Sequence, residues 1–289
     1  LVCPASVHGI VAFKPTTGLV SRTGIIPISA SQDTAGPMTR TVRGAARLLS
    51  VMAGPDAADP ATASIPEALD LDFEDELAGA RLAGARLGVV RSMTGYHAGL
   101  DAVFEGALRR LRGAGATLVD VELPPRSAYG ADELRVLLHE LRVGLNAYLA
   151  QRTGSGPRSL AALVTFNEAH AEQVMPHFGQ DLFVRAARTS GLEDPAYLQA
   201  KARIRRLLGQ EGILRVVEDR RLDALVAPTN PPAWEIDYAA GDKVAGGASG
   251  PAAVAGAPHL TLPMGAVEGR PVGLSVFGRP WDDETILAL

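Results

Sequence analysis

The sequence predicts an α/β protein. A strand–helix–strand succession between Leu87 and Leu123 argues for it, as does a long helical middle set between end regions of short apolar runs. Residues 1–40 are rich in Gly, Pro, Ser and Thr, with apolar runs such as Gly9-Ile10-Val11-Ala12-Phe13, and read as short strands and tight loops. A helix follows. Thr41 is its N-cap, Val42, Ala45, Leu48, Leu49 and Met52 share one face, and Gly54-Pro55 stops it. Asp56 to Pro66 reads as a polar surface loop.

Leu87-Gly88-Val89-Val90 reads as a short buried strand. Asp101 to Leu111 forms an amphipathic helix with Val103, Phe104, Ala107, Leu108 and Leu111 inward, ended by Gly113-Ala114-Gly115. Thr117 to Leu123 alternates like a half-exposed strand. Asp132 to Leu214 is mostly helical, with breaks near Gly154-Ser155-Gly156-Pro157 and Ser190-Gly191. Asp223 to Pro228 is a strand running into a loop, and His259 to Pro263 and Val272 to Val276 are later short strands. Asp282 to Leu289 reads as a helix barely begun. No repeat and no clear linker divides the 289 residues, so one domain over 1–289 is the simpler reading.

Composition narrows the function classes. A net charge of -4 gives no general pull toward nucleic acid or an anionic membrane. No apolar run approaches the roughly 18 residues of a membrane span. The single cysteine, Cys3, rules out an internal disulfide and a cysteine-rich zinc site, and fits a reduced cytoplasm. Leu1-Val2-Cys3-Pro4-Ala5 does not resemble a signal peptide, and the opening looks like an interior cut, which puts any N-terminal signal out of view. Lysine is scarce, limited to Lys14, Lys201 and Lys243.

Local catalytic motifs are nearly absent. No serine has glycines two residues to either side; Ser249 follows Gly247, but Pro251 takes the second place. His139-Glu140 is followed by Val143 where a metalloprotease helix needs histidine. Gly113-Ala114-Gly115 follows a helix and meets Leu118 where a dinucleotide loop needs glycine. His170 and His177 lie near Glu168 and Glu172, but Pro176 separates them, so hydrogen bonding is favoured over metal binding.

The first forty residues carry more. Leu1-Val2-Cys3-Pro4-Ala5, Gly9-Ile10-Val11-Ala12-Phe13-Lys14-Pro15-Thr16 and Ser31-Gln32-Asp33-Thr34-Ala35-Gly36-Pro37-Met38 closely resemble the amidase-signature family. Ala227-Pro228-Thr229-Asn230-Pro231-Pro232-Ala233-Trp234 and Pro251 to Gly265, followed by Gly273 to Gly278, resemble its late segments. The Ser-Gln-Asp-Thr wording is more like stand-alone bacterial peptide or aliphatic amidases. The amidotransferase subunit more often reads Ser-Leu-Asp-Gln there.

The resemblance implies an α/β fold with a mixed sheet covered by helices. It also implies hydrolysis of a carboxylic amide to acid and ammonia or amine through an acyl-enzyme, with a neutral lysine, a bridging serine and a serine nucleophile. No metal or other cofactor is expected. It places Gln32 and Thr34 near the substrate amide and Thr229 and Asn230 along the acyl pocket, with Asp33 fixing its own loop. The alternatives are the amide-hydrolysing subunit of a tRNA-dependent amidotransferase and a non-catalytic binding protein derived from an amidase. The partner is a small-molecule or peptide amide, with no nucleic acid and no membrane, and there is room for a homodimer.

Aligning the motif puts the nucleophile immediately before Leu1 and the other two catalytic groups further upstream. The chain is therefore expected to be a C-terminal part, with a fold incomplete at the N-terminus and slightly at the C-terminus, no catalytic residue of its own and no turnover alone. Lys14 is expected to be a structural cation, and Lys201 and Lys243 to lie on solvated faces.

Overall fold

In the computed structural model, which describes all residues but Lys243 and all side chains but those of Lys243, Glu76 and Ala78, the chain opens on a helix. This is α1 (Val2–His8), where strands and loops were expected. Pro4 sits in its first turn, where a missing N–H breaks no helical bond, and Gly9 ends it at φ 66°. β1 (Val11–Lys14) and a two-residue β2 (Met38–Thr39) follow, then α2 (Val42–Met52). The Thr41 side chain caps α2 by accepting from the Gly44 N–H, as expected. The inward stripe of α2 is rotated from the expected one: Ala45, Ala46 and Leu49 are buried, while Leu48 is 41% exposed.

After α3 (Phe73–Glu76), β3 (Arg86–Val90), α4 (Ala98–Gly113) and β4 (Thr117–Val121) form the strand–helix–strand unit read from the sequence. Phe104, Ala107 and Leu108 of α4 are buried. The helical middle comprises α5 (Gly130–Ala150), α6 (Leu160–Ala169), α7 (Ala171–Val174), α8 (Asp181–Ala187) and α9 (Pro195–Ile204). A π-helical stretch (Arg205–Leu214) continues α9 into α10 (Arg215–Arg220). The chain then adds β5 (Ala224–Pro228), α11 (Ser249–Ala255), the hairpin of β6 (His259–Val267) and β7 (Arg270–Phe277), and α12 (Asp283–Ala288).

Among the described residues all seven strands form one sheet in the order β2-β1-β6-β7-β5-β3-β4. It is mixed: β3 runs parallel to β4 and β5, and the remaining pairs are antiparallel. One face carries Val11, Phe13, Leu260, Leu274, Val276 and Val226, packed against Ala45 and Leu49 of α2 and Leu100, Phe104 and Leu108 of α4. Leu225, Ala227 and Phe277 on the other face pack against Ile213, Val217 and Ala252.

The expectation of a sheet incomplete at its N-terminus and slightly at its C-terminus is corrected. β1 is enclosed between β2 and β6, and its four residues are all buried. Val2, Ala5 and Ser6 of α1 are buried too, so the apolar surface expected to stand uncovered at the front is packed. At the other end α12 is a formed helix whose Ile286 and Leu287 join the core.

Candidate active site

Strand alternation places one polar row inside the second face of the sheet. His259 and Thr261 are two apart on β6, and Thr261 lies opposite Ser275 of β7 and Ala12 of β1. Thr229, just beyond β5, joins the row, and Ser6 faces it from α1. All five polar side chains are buried. His259 Nε2 lies 2.6 Å from Ser275 Oγ, which donates to Thr229 Oγ1 at 2.9 Å, and Thr229 Oγ1 lies 2.7 Å from Thr261 Oγ1. Gly273 leaves room for this cluster: a β-carbon there would stand 2.5 Å from Thr261 Oγ1, 2.8 Å from Ser6 Oγ and 2.9 Å from Thr229 Oγ1. Burial pushes the His259 pKa down to about 3, helped by the positive charges of Lys14 and the N-terminal amine, so the ring is neutral at ordinary pH.

Thr229 is sealed, with its N–H bonded to Gly273 O and its carbonyl accepting from the Ala248 N–H. Asn230 follows it and is 4% exposed. Its Nδ2 donates to Pro231 O at 2.7 Å, which fixes the amide orientation and leaves Oδ1 buried without a partner among the described residues. Next to it, Pro231, Pro232, Ala233 and Trp234 line a cavity of about 240 Å³ with Tyr96 and Arg270.

The loop of residues 28–37 is built around carboxylates. Asp33 Oδ2 accepts from the Ile28 and Ser29 N–H groups at 2.8 Å each, so this side chain fixes its own loop. Glu140 of α5 is buried and accepts from Ser29 Oγ, the Ser31 N–H and Oγ, Tyr197 Oη and Lys201 Nζ. Burial alone raises its pKa, but these donors outweigh it and hold the group at about 2. Gln32 and Thr34 are half-buried in this loop. Thr34 Oγ1 donates to Ala35 O, and Gln32 Nε2 is buried without a partner among the described residues. A β-carbon at Gly36 would stand 2.2 Å from Phe13 O and 3.1 Å from Leu1 Cδ1, so the loop passes close against β1 and Leu1. Asp33 also lines a cavity of about 490 Å³ with Arg22, Pro27, Asp59 and Tyr148.

The four residues singled out from sequence thus fall into two pairs on separate loops. Among the described residues no hydrogen bond joins Gln32 or Thr34 to Thr229 or Asn230. Lys14 is 8% exposed and donates to Pro15 O. Burial lowers its pKa to about 8 against the pull of Asp283. Asp283 in turn accepts from the Thr16 N–H and Oγ1, clamping α12 to the end of β1. Lys201 is no solvated cation, since it pairs with Glu140 at 2.8 Å, and Lys243 lies outside the described residues. Sequence reasoning missed Ser6, His259, Thr261, Ser275 and Glu140. For β6 a signal existed: polar His259 and Thr261 alternate with apolar Leu260 and Leu262.

A mixed seven-stranded sheet covered by helices, with a buried polar row at its centre, defines an α/β class of protein. The Amidase family model matches residues 1–287, and the chain belongs to that family. It superposes on native peptide amidase from Stenotrophomonas maltophilia with a TM-score of 0.91 and 45% identity, covering 99% of this chain and 58% of that one. The peptide amidase complexed with the competitive inhibitor chymostatin gives 0.94 and 46%, covering 100% and 59%. A subunit of the glutamyl-tRNA(Gln) amidotransferase of Myxococcus xanthus is 36% identical over 304 residues, covering 99% of this chain and 59% of its own length. The chain thus spans under three-fifths of the length of these relatives.

The reading of a C-terminal part stripped of its catalytic residues is corrected on this ground. The family match runs from the first helix to the last, over residues 1–287, and a loss of catalytic groups does not follow from the position of Leu1. Among the described residues no helix is long and apolar enough to cross a membrane.

Proposed function

We propose that this protein hydrolyses carboxylic amides, releasing ammonia or an amine and a carboxylic acid through an acyl-enzyme, and that peptide amides are its substrates. The observation that carries the reading is the 45–46% identity to peptide amidase across 99–100% of this chain. The chemistry of the two candidate pairs supports it. A carboxamide offers N–H donors and a carbonyl acceptor. Asn230 supplies a buried, unpartnered acceptor and Gln32 a buried, unpartnered donor, the complements of those groups. These two side chains are the proposed substrate contacts, with Thr34 supporting Gln32 in its loop and Thr229 supporting Asn230. We also read residues 1–289 as one domain, because a single sheet draws strands from both ends of the chain. The unpaired Cys3 supports a reducing, cytoplasmic location.

The test is direct. The purified protein is incubated with an N-acetylated dipeptide amide while ammonia and the free acid are followed. Equimolar release of both is expected, reduced at least tenfold by Asn230→Ala. No release from any peptide amide would sink the proposal, and release only with a tRNA-bound partner would redirect it.

A further inference from the structure

The polar row contains more hydrogen-bonding order than burial alone requires. Each hydroxyl has one proton to give. Ser275 spends its proton on Thr229 Oγ1, so the 2.6 Å contact with His259 is supplied by the ring, with Nε2 as donor. Thr229, having accepted from Ser275, continues the row through its 2.7 Å contact with Thr261 Oγ1, in which either hydroxyl can be the donor. From the ring to Thr229 the donors therefore point one way, from β6 through β7 to the end of β5, and the Thr229–Thr261 contact closes the row back to β6. The histidine is left as the Nε2–H tautomer, with Nδ1 as a buried acceptor that has no partner.

Both ends of this sequence are fixed. His259 sits between strands with its ring 5.3 Å from that of Phe277, and Gly273 holds Thr261, Thr229 and Ser6 close around its α-carbon. In the middle stands Thr229, locked through backbone and side chain at once. The next residue is Asn230, whose buried carbonyl oxygen meets no donor among the described residues.

We propose that His259, Ser275, Thr229 and Thr261 form a directional hydrogen-bond relay that positions Asn230 for the amide substrate, with Thr229 as a positioning residue sealed from the substrate itself. This rests on the amide-hydrolase reading for its purpose, but not for its geometry. The relay moves no proton in a reaction. It fixes the hydroxyl of Thr229, and through it the direction in which the following side chain leaves the sheet. A β-branched hydrocarbon at Thr229 keeps the shape, loses both hydrogen bonds and deprives Ser275 of its acceptor.

The experiment has an arm for the geometry and an arm for the purpose. In the geometry arm, nitrogen-15 NMR of the His259 ring at neutral pH is expected to show the Nε2–H tautomer, and an Nδ1–H ring overturns the relay. The Asn230 side-chain amide protons are followed in the same protein. Thr229→Val is expected to speed their exchange about tenfold, and Thr229→Ser to leave it within twofold of the parent. Equal exchange in all three proteins overturns the positioning role, as does an unrescued Thr229→Ser. In the purpose arm, Thr229→Val is expected to lower kcat/KM for a peptide amide about tenfold, again rescued by serine. If the parent protein releases no ammonia, the hydrolase reading fails, while tautomer and exchange still decide the relay. Should Thr229→Val fail to fold, Ser275→Ala takes its place with the same expected exchange.

Discussion

The two faces of the central strands, built from alternate residues of the same segments, solve burial in opposite ways. One row, Phe13, Leu260, Val276, Val226 and Val89, crosses five strands and is entirely hydrocarbon. The neighbouring row, Ala12, Thr261, Ser275 and Ala227, crosses four and carries hydroxyls at its centre, joined by His259 and Thr229. Both are buried. The hydrocarbon row draws on area removed from water and on close packing, and it tolerates changes that keep its volume. The polar row gains little net free energy from its hydrogen bonds but loses much when one partner is removed. The hydrocarbon row therefore holds the sheet together, and the polar row fixes where individual side chains stand.

The largest separation between the faces is expected with pH. His259 keeps a neutral ring down to about pH 3 when folded, whereas an unfolded ring takes its proton below its ordinary value of 6.5. Its contribution is therefore fully present above 6.5 and is lost as pH falls toward 3, by up to about 1.4 kcal/mol per pH unit. His259→Gln should flatten this dependence. The difference in unfolding free energy between parent and variant is read by urea titration from pH 7 to 4.5, and a constant difference across that range would refute the buried neutral ring. On the other face Phe13→Ala should cost about 3–5 kcal/mol, with no change in pH dependence. A loss under about 1 kcal/mol would mean that the hydrocarbon row can collapse around the gap.

Local features were readable from sequence because their causes are local. The Thr41 cap, the inward Phe104, Ala107 and Leu108, and strand β5 follow from residue type and spacing over a few positions. Helix α1 was not legible, because Cys3, Pro4 and Ser6 read as loop residues and only the sheet beneath makes a helix of them. The buried clusters escaped for a different reason. Ser29 meets Glu140 across 111 positions, and Thr16 meets Asp283 across 267, so no window along the chain contains both partners. Asn230 and Gln32 were found through a resemblance, and the structure adds that each holds an unpartnered polar atom. Thr229 was singled out the same way, yet it lies sealed beneath the candidate site at 1% exposure.

Gly273 gives the smallest expected effect and the sharpest test of how tightly the polar row is held. Its backbone lies within a regular strand, without the positive φ that would make glycine obligatory, so only crowding excludes a side chain. Gly273→Ala places a methyl group 2.5 Å from Thr261 Oγ1, and the hydroxyl sits on a short side chain between paired strands with nowhere to swing. A cost of about 1–3 kcal/mol is expected from overpacking. Thr261→Ala alone should also destabilise, since it deprives Thr229 of a buried hydrogen-bond partner. Together the two changes should cost less than their sum by about 1 kcal/mol, because removing the Thr261 hydroxyl clears the space that the new methyl needs. Strict additivity in denaturant unfolding would mean that the two residues do not compete for that space, and that Gly273 is dispensable to the row.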